Sequence, residues 1–288
     1  MDLVDYEKHI RTENAARRYV LSHCRQGRKR ICPRCRNAKV YTLADERFRC
    51  SACKYTFHDL TGRWINVGGL SCRDWLRIAK LFELDLTTHK MVSQLRLTYN
   101  TVYKAVTAIR FALAAGSFDA PQLLGGPLGK DIGFEGGKIN MSRAEEPMRS
   151  VPVFGIIEKN GWVFIDLMPN MHAEHILHFN LNFSLKLTRM GKIVYTDRYQ
   201  RYDALICCGG DELQNRFVDA ADRTAYVDSR RGSFWNFART RLRRYNGVSS
   251  RRFPLYLKEL EFRYNHRNED IYPLLLEKLC SFVPNFDQ

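Results

Sequence analysis

Four cysteines near the start of the chain, Cys32-Pro-Arg-Cys35 and Cys50-Ser-Ala-Cys53, form two CxxC pairs separated by fourteen residues. Two such knuckles can set four thiolates tetrahedrally around one Zn²⁺, the arrangement of a zinc ribbon. The residues between them, from Lys39 to Arg49, read as two short strands joined by a charged turn. A segment this short cannot build an apolar core, so the metal stands in for one. The competing readings are a chance cluster or a pair of disulfides; the habit of CxxC thiols to bind metal in reducing compartments favours zinc. Cys24, Cys72, Cys207, Cys208 and Cys280 show no second paired spacing and read as buried or free thiols.

Charge constrains the partner. The 288 residues carry a formal net charge of +15, and Lys and Arg fall in runs such as Arg25 to Arg30, Arg239-Thr-Arg-Leu-Arg-Arg244 and Arg251-Arg252. A single basic run is usually a solvated face. Several runs beside a ribbon favour a polyanion, through phosphate neutralisation and counterion release. Neither an RNA-recognition motif nor an aromatic stacking array is evident, which turns the reading toward double-stranded DNA rather than RNA. The first thirty residues are charged and lack an apolar core, and no apolar run approaches the ~20 residues of a membrane span. The expectation is a cytoplasmic protein with no membrane partner.

The chain divides by pattern. Residues 1–27 read as a helical segment, 28–62 as the ribbon and 70–115 as helices. Ser71 is an N-cap candidate with an acid three residues on, introducing the amphipathic run Trp75 to Leu84. Thr87 to Leu95 and Tyr99 to Leu113 are two further amphipathic stretches joined by Arg96-Leu-Thr98, the pattern of a helix-turn-helix. In that reading Asn100, Thr101, Tyr103 and Lys104 face a major groove; a plain helical hairpin packed on the core is the alternative. Residues 116–129, rich in Gly and Pro, read as a linker. Beyond it strands are expected at Lys130 to Phe134, Val151 to Ile157 and Trp162 to Leu167, the last two joined at Lys159-Asn-Gly161. A helix from about Ala173 to Phe183, a buried strand Lys192 to Thr196 ending at Asp197, and a helix continuing through Tyr202 to Ile206 complete the order. The whole is an α+β multidomain chain: zinc ribbon, helix-turn-helix and an RNase H-like α/β domain over 130–280, with 281–288 as a tail. Asp131 and Asp197 fit the two central carboxylates of a two-metal phosphoryl-transfer site; each alone is equally an acid at a solvated strand end.

These residues reach a resemblance. The ribbon continuing into Tyr55-Thr-Phe-His-Asp-Leu-Thr-Gly-Arg-Trp64, then Lys80 to Leu84, Thr101-Val-Tyr103, Asp131 ahead of Gly136-Gly137, Val151-Pro-Val-Phe-Gly155, Val194-Tyr-Thr-Asp197, Ser233-Phe-Trp235 and Phe262-Arg-Tyr-Asn-His-Arg267 resemble the zinc-ribbon insertion-sequence DDE transposases of bacteria, the ISXO2-like group related to eukaryotic Merlin elements. The resemblance implies an RNase H-like transposase, nucleoid-associated and acting as a homo-oligomer on terminal inverted repeats. Its chemistry would be strand cleavage and transfer with Mg²⁺ held by three carboxylates. Asp131 matches the first acid and Asp197 the second. The third is a glutamate in the family, but this chain reads Asp228-Ser-Arg-Arg-Gly-Ser-Phe-Trp235, with Gly232 in its place. Asp228, shorter and about one helical turn earlier, is the substitute candidate. Arg230 and Arg231 add cations there, and Arg239, Arg241, Arg243 and Arg244 extend the DNA-contact set. Two functions follow: a transposase acting on its own element ends, or a catalytically inactive, decayed or domesticated derivative that binds DNA as a regulator or structural factor.

Overall fold

The computed structural model describes residues 1–25, 30–45, 47–140, 152–170, 183–187, 191–195, 204–207, 233–242, 244 and 248–286. The chain forms two compact units: residues 1–113 with 268–284, and residues 114–267 with 285–288.

The first unit opens with α1 (Leu3–Ile10) and α2 (Glu13–Arg25), capped by the Asp2 and Thr12 side chains. Helix α3 (Cys72–Glu83) begins where Ser71 and Asp74 hydrogen-bond reciprocally, and the Glu13 carboxylate accepts from the Cys72 and Arg73 amides at 2.8 and 3.2 Å. An acid at a helix N-terminus meets both the orphan amides and the positive end of the dipole. The terminal helix Ile271–Cys280 packs here too, with the Tyr272 hydroxyl donating to the Leu76 carbonyl and its ring edge-on to Tyr6. Helices α4 (Thr88–Leu95) and α5 (Tyr99–Ala114) are joined through Arg96, whose left-handed backbone ends α4. From Ala105 onward α5 is buried, its Phe111 stacked on Trp64, so only its first turns meet solvent. The ribbon has three strands rather than two: β1 (Val40–Thr42), β2 (Phe48–Cys50) and β3 (Thr56–Phe57), all antiparallel.

The second unit departs from expectation in three places. Residues 116–129 are not an extended linker: α6 (Ala120–Leu124) and the start of α7 (Gly126–Ile132) lie there, with Ala120, Leu123 and Leu124 buried. The expected strand Lys130 to Phe134 is instead the end of α7. Pro127 starts that helix, and Gly133, at φ 87°, ends it by donating its amide to the carbonyls of its last turn. Glycine takes this conformation at no steric cost, which makes Gly133 a helix stop. A short hairpin of β4 (Phe134–Glu135) and β5 (Lys138–Ile139) follows.

The main sheet has the order β7-β6-β10-β9-β8, antiparallel throughout, with β6 (Val153–Lys159), β7 (Trp162–Leu167), β8 (Phe183–Leu187), β9 (Gly191–Tyr195) and β10 (Ala204–Cys207). The β6–β7 turn is Asn160-Gly161, both at positive φ as a two-residue hairpin requires. The third departure is β10, expected as helix. A short apolar run has no periodicity of its own, and here it is satisfied by ladders to β6 on one side and β9 on the other. It occupies the place beside β6, so the segment carrying Asp131 is not a member of the sheet. The helix expected from Ala173 lies outside the described residues, and its last residue, Phe183, begins β8.

Helices α8 (Ser233–Leu242) and α9 (Phe253–Asn265) complete the unit, with Phe234 and Phe237 edge-on to Tyr264. Along α9, Lys258, Glu261 and Asn265 share one face and meet the free edge of β7. Asn265 exchanges two 2.7 Å hydrogen bonds with the Val163 backbone, and Glu261 accepts from the Ile165 amide at 3.2 Å. Lys258 donates to the Ile165 carbonyl, and Asp119 accepts from the Leu167 amide at 2.8 Å. These side chains do the work of a missing neighbour strand and close an edge that would otherwise pair with another chain.

Candidate functional site

The cysteine centre is built from two equivalent turns. The Arg36 amide donates to the Cys32 carbonyl and the Cys32 amide to the Asn37 carbonyl; the Lys54 amide donates to the Cys50 carbonyl and the Cys50 amide to the Tyr55 carbonyl. Arg36 and Lys54 both adopt φ near 60°, turning the chain back after each CxxC. The four Sγ atoms lie within 4.8 Å of one another, with Cys32–Cys53 at 3.6 Å and Cys35–Cys50 at 3.5 Å. Four sulfurs ~2.3 Å from a tetrahedral Zn²⁺ stand ~3.8 Å apart, so the donor set fits that ion. Hydrogen bonds from the Cys53 and Ala52 amides bring the Cys50 thiol down to about 6 against the opposing effect of burial, which suits a thiolate ligand. Phe48 and Phe57 pack with Cys32 and Cys50 beneath the site. Arg30 lies over the Phe48 ring and, with Arg25, pairs with Asp59, tying the ribbon to α2.

The expected DNA-facing residues fall into two groups. Asn100 and Lys104 are exposed and Thr101 and Tyr103 half-buried at the start of α5, where the Thr98 hydroxyl caps the Thr101 amide. Beside them the rings of His89, Tyr99 and Tyr103 form a column, His89–Tyr99 at 4.8 Å and Tyr99–Tyr103 at 5.9 Å. The Tyr pair has the i, i+4 spacing that could have been read from the sequence; His89, from α4, gives no such signal. In the second group, Arg239 lies on α8, Arg241 rests its guanidinium 3.9 Å over the Phe237 ring and Arg244 is exposed. Arg243 lies outside the described residues.

Of the expected carboxylates, Asp197 and Asp228, together with Gly232, also lie outside the described residues. Asp131 sits in the last turn of α7, 11% exposed, with its Oδ1 3.7 Å from a guanidinium nitrogen of Arg251. In the sequence Arg251 is one residue of a basic run, and nothing local marks it as the partner of Asp131. Glu259 is buried against Arg263 at 2.7 Å, and Glu261 belongs to the β7 edge, so both acids of α9 are engaged within the fold. Among the described residues the four cysteines are the single group of three or more metal-ligating side chains close enough to share an ion, and no helix is long and apolar enough to cross a membrane.

Comparison with known proteins agrees with this layout. A model of the ISXO2-like transposase domain matches residues 124–265, and a model of a transposase zinc-ribbon domain matches residues 11–56. An uncharacterized transposase-like protein of Haemophilus influenzae is 37% identical over 105 residues, 36% of this chain and 81% of the relative. An uncharacterized protein in transposable element ISH50 of Halobacterium salinarum is 25% identical over 259 residues, 81% of this chain and 84% of the relative. No solved structure matches the chain. With a cysteine centre of zinc-ribbon geometry followed by the matched transposase domain, the chain belongs to the ISXO2-like transposase family.

Proposed function

We infer that this transposase-family chain is a double-stranded DNA-binding protein whose metal-dependent strand cleavage and transfer at element ends is weak or nil. The observation that carries the reading is the Asp131–Arg251 ion pair. A two-metal site needs its carboxylates for the ions, and a guanidinium beside the first acid competes with Mg²⁺ for the same oxygens. Gly232 in the third acid's place points the same way, since losing one group that stabilises a developing oxyanion typically reduces rate by ~10²–10³. Asp131 and Asp197 remain the catalytic candidates, with Asp228 as the substitute. Two carboxylates and waters are enough to hold Mg²⁺ loosely.

DNA recognition rests on α4 and α5 acting as a helix-turn-helix, with the family domain as an RNase H-like scaffold. Support comes from the short Arg96 to Thr98 connection and from polar, exposed residues confined to the start of α5, where recognition helices contact base edges. The β6–β7 hairpin and a strand leading toward Asp197 suit the scaffold reading. The expected target is the element's terminal inverted repeats, bound by a homo-oligomer at the bacterial nucleoid. Of the two forms this function can take, the ion pair at Asp131 favours the catalytically silent, decayed or domesticated one.

The test is fluorescence anisotropy on duplexes carrying the inverted repeats, combined with a nicking assay in Mg²⁺ or Mn²⁺. If ~6 or more phosphates are neutralised, affinity drops by ~10³ or more between 50 and 200 mM salt. Lys104→Ala weakens binding, and no nicked product forms. Salt-independent binding, or nicking that Asp197→Ala abolishes, refutes the reading.

A further inference from the structure

The first unit holds a second pair of thiols apart from the ribbon. Cys280, the last residue of the terminal helix, has its Sγ 3.6 Å from the Val20 carbonyl oxygen, and Val20 lies one helical turn before Cys24 on α2. Cys24 and Cys280 line one cavity of about 300 Å³ together with Arg25, Asp59 and Arg63. Their exposure differs: Cys280 is buried, whereas Cys24 is partly open. An open thiol backed by a sheltered one is the pairing that two-step thiol oxidation requires.

We propose that Cys24 and Cys280 are a peroxide-oxidisable dithiol site, chemically separate from the zinc ligands, which closes to a disulfide joining α2 to the terminal helix. The co-reactant is a small hydroperoxide entering the cavity. In the first step Cys24 ionises and its thiolate attacks one peroxide oxygen; the O–O bond breaks, and the leaving hydroxide takes up the proton released by that ionisation as water, giving a sulfenic acid. In the second the Cys280 sulfur attacks the Cys24 sulfur; the S–S bond forms, the S–O bond breaks, and the Cys280 proton leaves with the hydroxyl as water. One peroxide is reduced by two electrons and two thiols are oxidised.

The electrostatics assign the order of events. Cys280 beside it holds the Cys24 thiol below the usual thiol range, aided by Arg63 and Arg25 and opposed by burial and Asp59. Closeness to Cys24, together with burial, pushes Cys280 well above that range, so it reacts second, giving up its proton to the departing hydroxyl as its sulfur attacks. Cys72, a third thiol in this unit, is pushed up to about 11 by burial and by Glu13, and stays out of the chemistry.

The experiment uses zinc-loaded full-length protein and one equivalent of hydrogen peroxide, followed by alkylation and peptide mapping. The expected product is a linked Cys24–Cys280 peptide, ~2 Da lighter than its two reduced halves, with zinc retained. In Cys280→Ala a dimedone-reactive sulfenic acid accumulates at Cys24, and in Cys24→Ala Cys280 stays unmodified. Should either variant fail to fold, the map of the unsubstituted protein decides alone. Oxidation of Cys32, Cys35, Cys50 or Cys53 with zinc release while Cys24 stays reduced overturns the proposal. A Cys24 sulfenic acid that persists without linking, or no reaction at all, overturns it equally. None of these outcomes depends on whether the chain binds DNA.

Discussion

Lys258→Met removes one ammonium from the inside of the second unit while keeping most of the side-chain volume. Lys258 is 2% exposed, and its Nζ lies 2.7 Å from Asp119 Oδ1 and 3.2 Å from Glu261 Oε2. One cation therefore serves a buried acid, Asp119, and a half-buried one, Glu261, and the substitution leaves both without it. Removing one partner of a buried ion pair typically costs about 3–5 kcal/mol, set against a total stability of about 5–15 kcal/mol. Burial already raises the Glu261 carboxyl against the pull of Lys258, so losing the cation raises it further. The sign follows from linkage: a raised folded pKa favours the fold below the unfolded value near 4, and that stability is lost as pH rises through the folded value. The variant is accordingly closer to the parent near pH 4 than at pH 8. Urea unfolding at both pH values measures this, and hydrogen exchange at Val163, Ile165 and Leu167 locates it, since those amides lean on the same network. Adding Asp119→Asn and Glu261→Gln restores much of the loss, because neutral amides still accept from the strand edge. A loss under ~1 kcal/mol with unchanged exchange, or an equal loss at both pH values, refutes the reasoning.

Two further outcomes are expected. Metal analysis finds one Zn²⁺ per chain, and Cys32→Ser unfolds β1–β3 without melting the domain beyond residue 128, because structural zinc supplies the ribbon's folding free energy; a reduced, folded protein without zinc contradicts this. Gly232→Glu is the single substitution expected to restore some Mn²⁺-dependent nicking, provided Arg230 and Arg231 do not capture the new carboxylate. A Gly232→Glu protein as silent as the parent, with its new carboxyl shown by titration to be unpaired, argues that the site is lost for a further reason.

What could be read in the sequence was local. The cysteine centre is legible because spacing alone brings both knuckles to one ion, and the β6–β7 hairpin because Asn160-Gly161 announces its turn between alternating strands. The end of α7 is also locally written, in Pro127 and Gly133, although Lys130 to Phe134 reads by pattern as a strand. β10 was beyond local reading: four apolar residues become a strand because β6 and β9 accept them from either side.

The charged face of α9 shows most plainly why the remainder was hidden. Lys258, Glu261 and Asn265 repeat at helical spacing, and charge at that spacing ordinarily marks a face turned to water. Here the partner is the β7 edge, with Asn265 and Val163 102 positions apart, and its unpaired amides and carbonyls want the donors and acceptors that a hydrophobic helix lacks. A sheet edge thus reverses the usual meaning of a polar helix face, and only the strand order reveals that β7 has an edge to cover. The carboxylates of α9 are committed to that edge and to Arg263, so releasing Glu261 to stand in for Gly232 gives up a hydrogen bond to the sheet edge, and releasing Glu259 breaks a buried ion pair with Arg263.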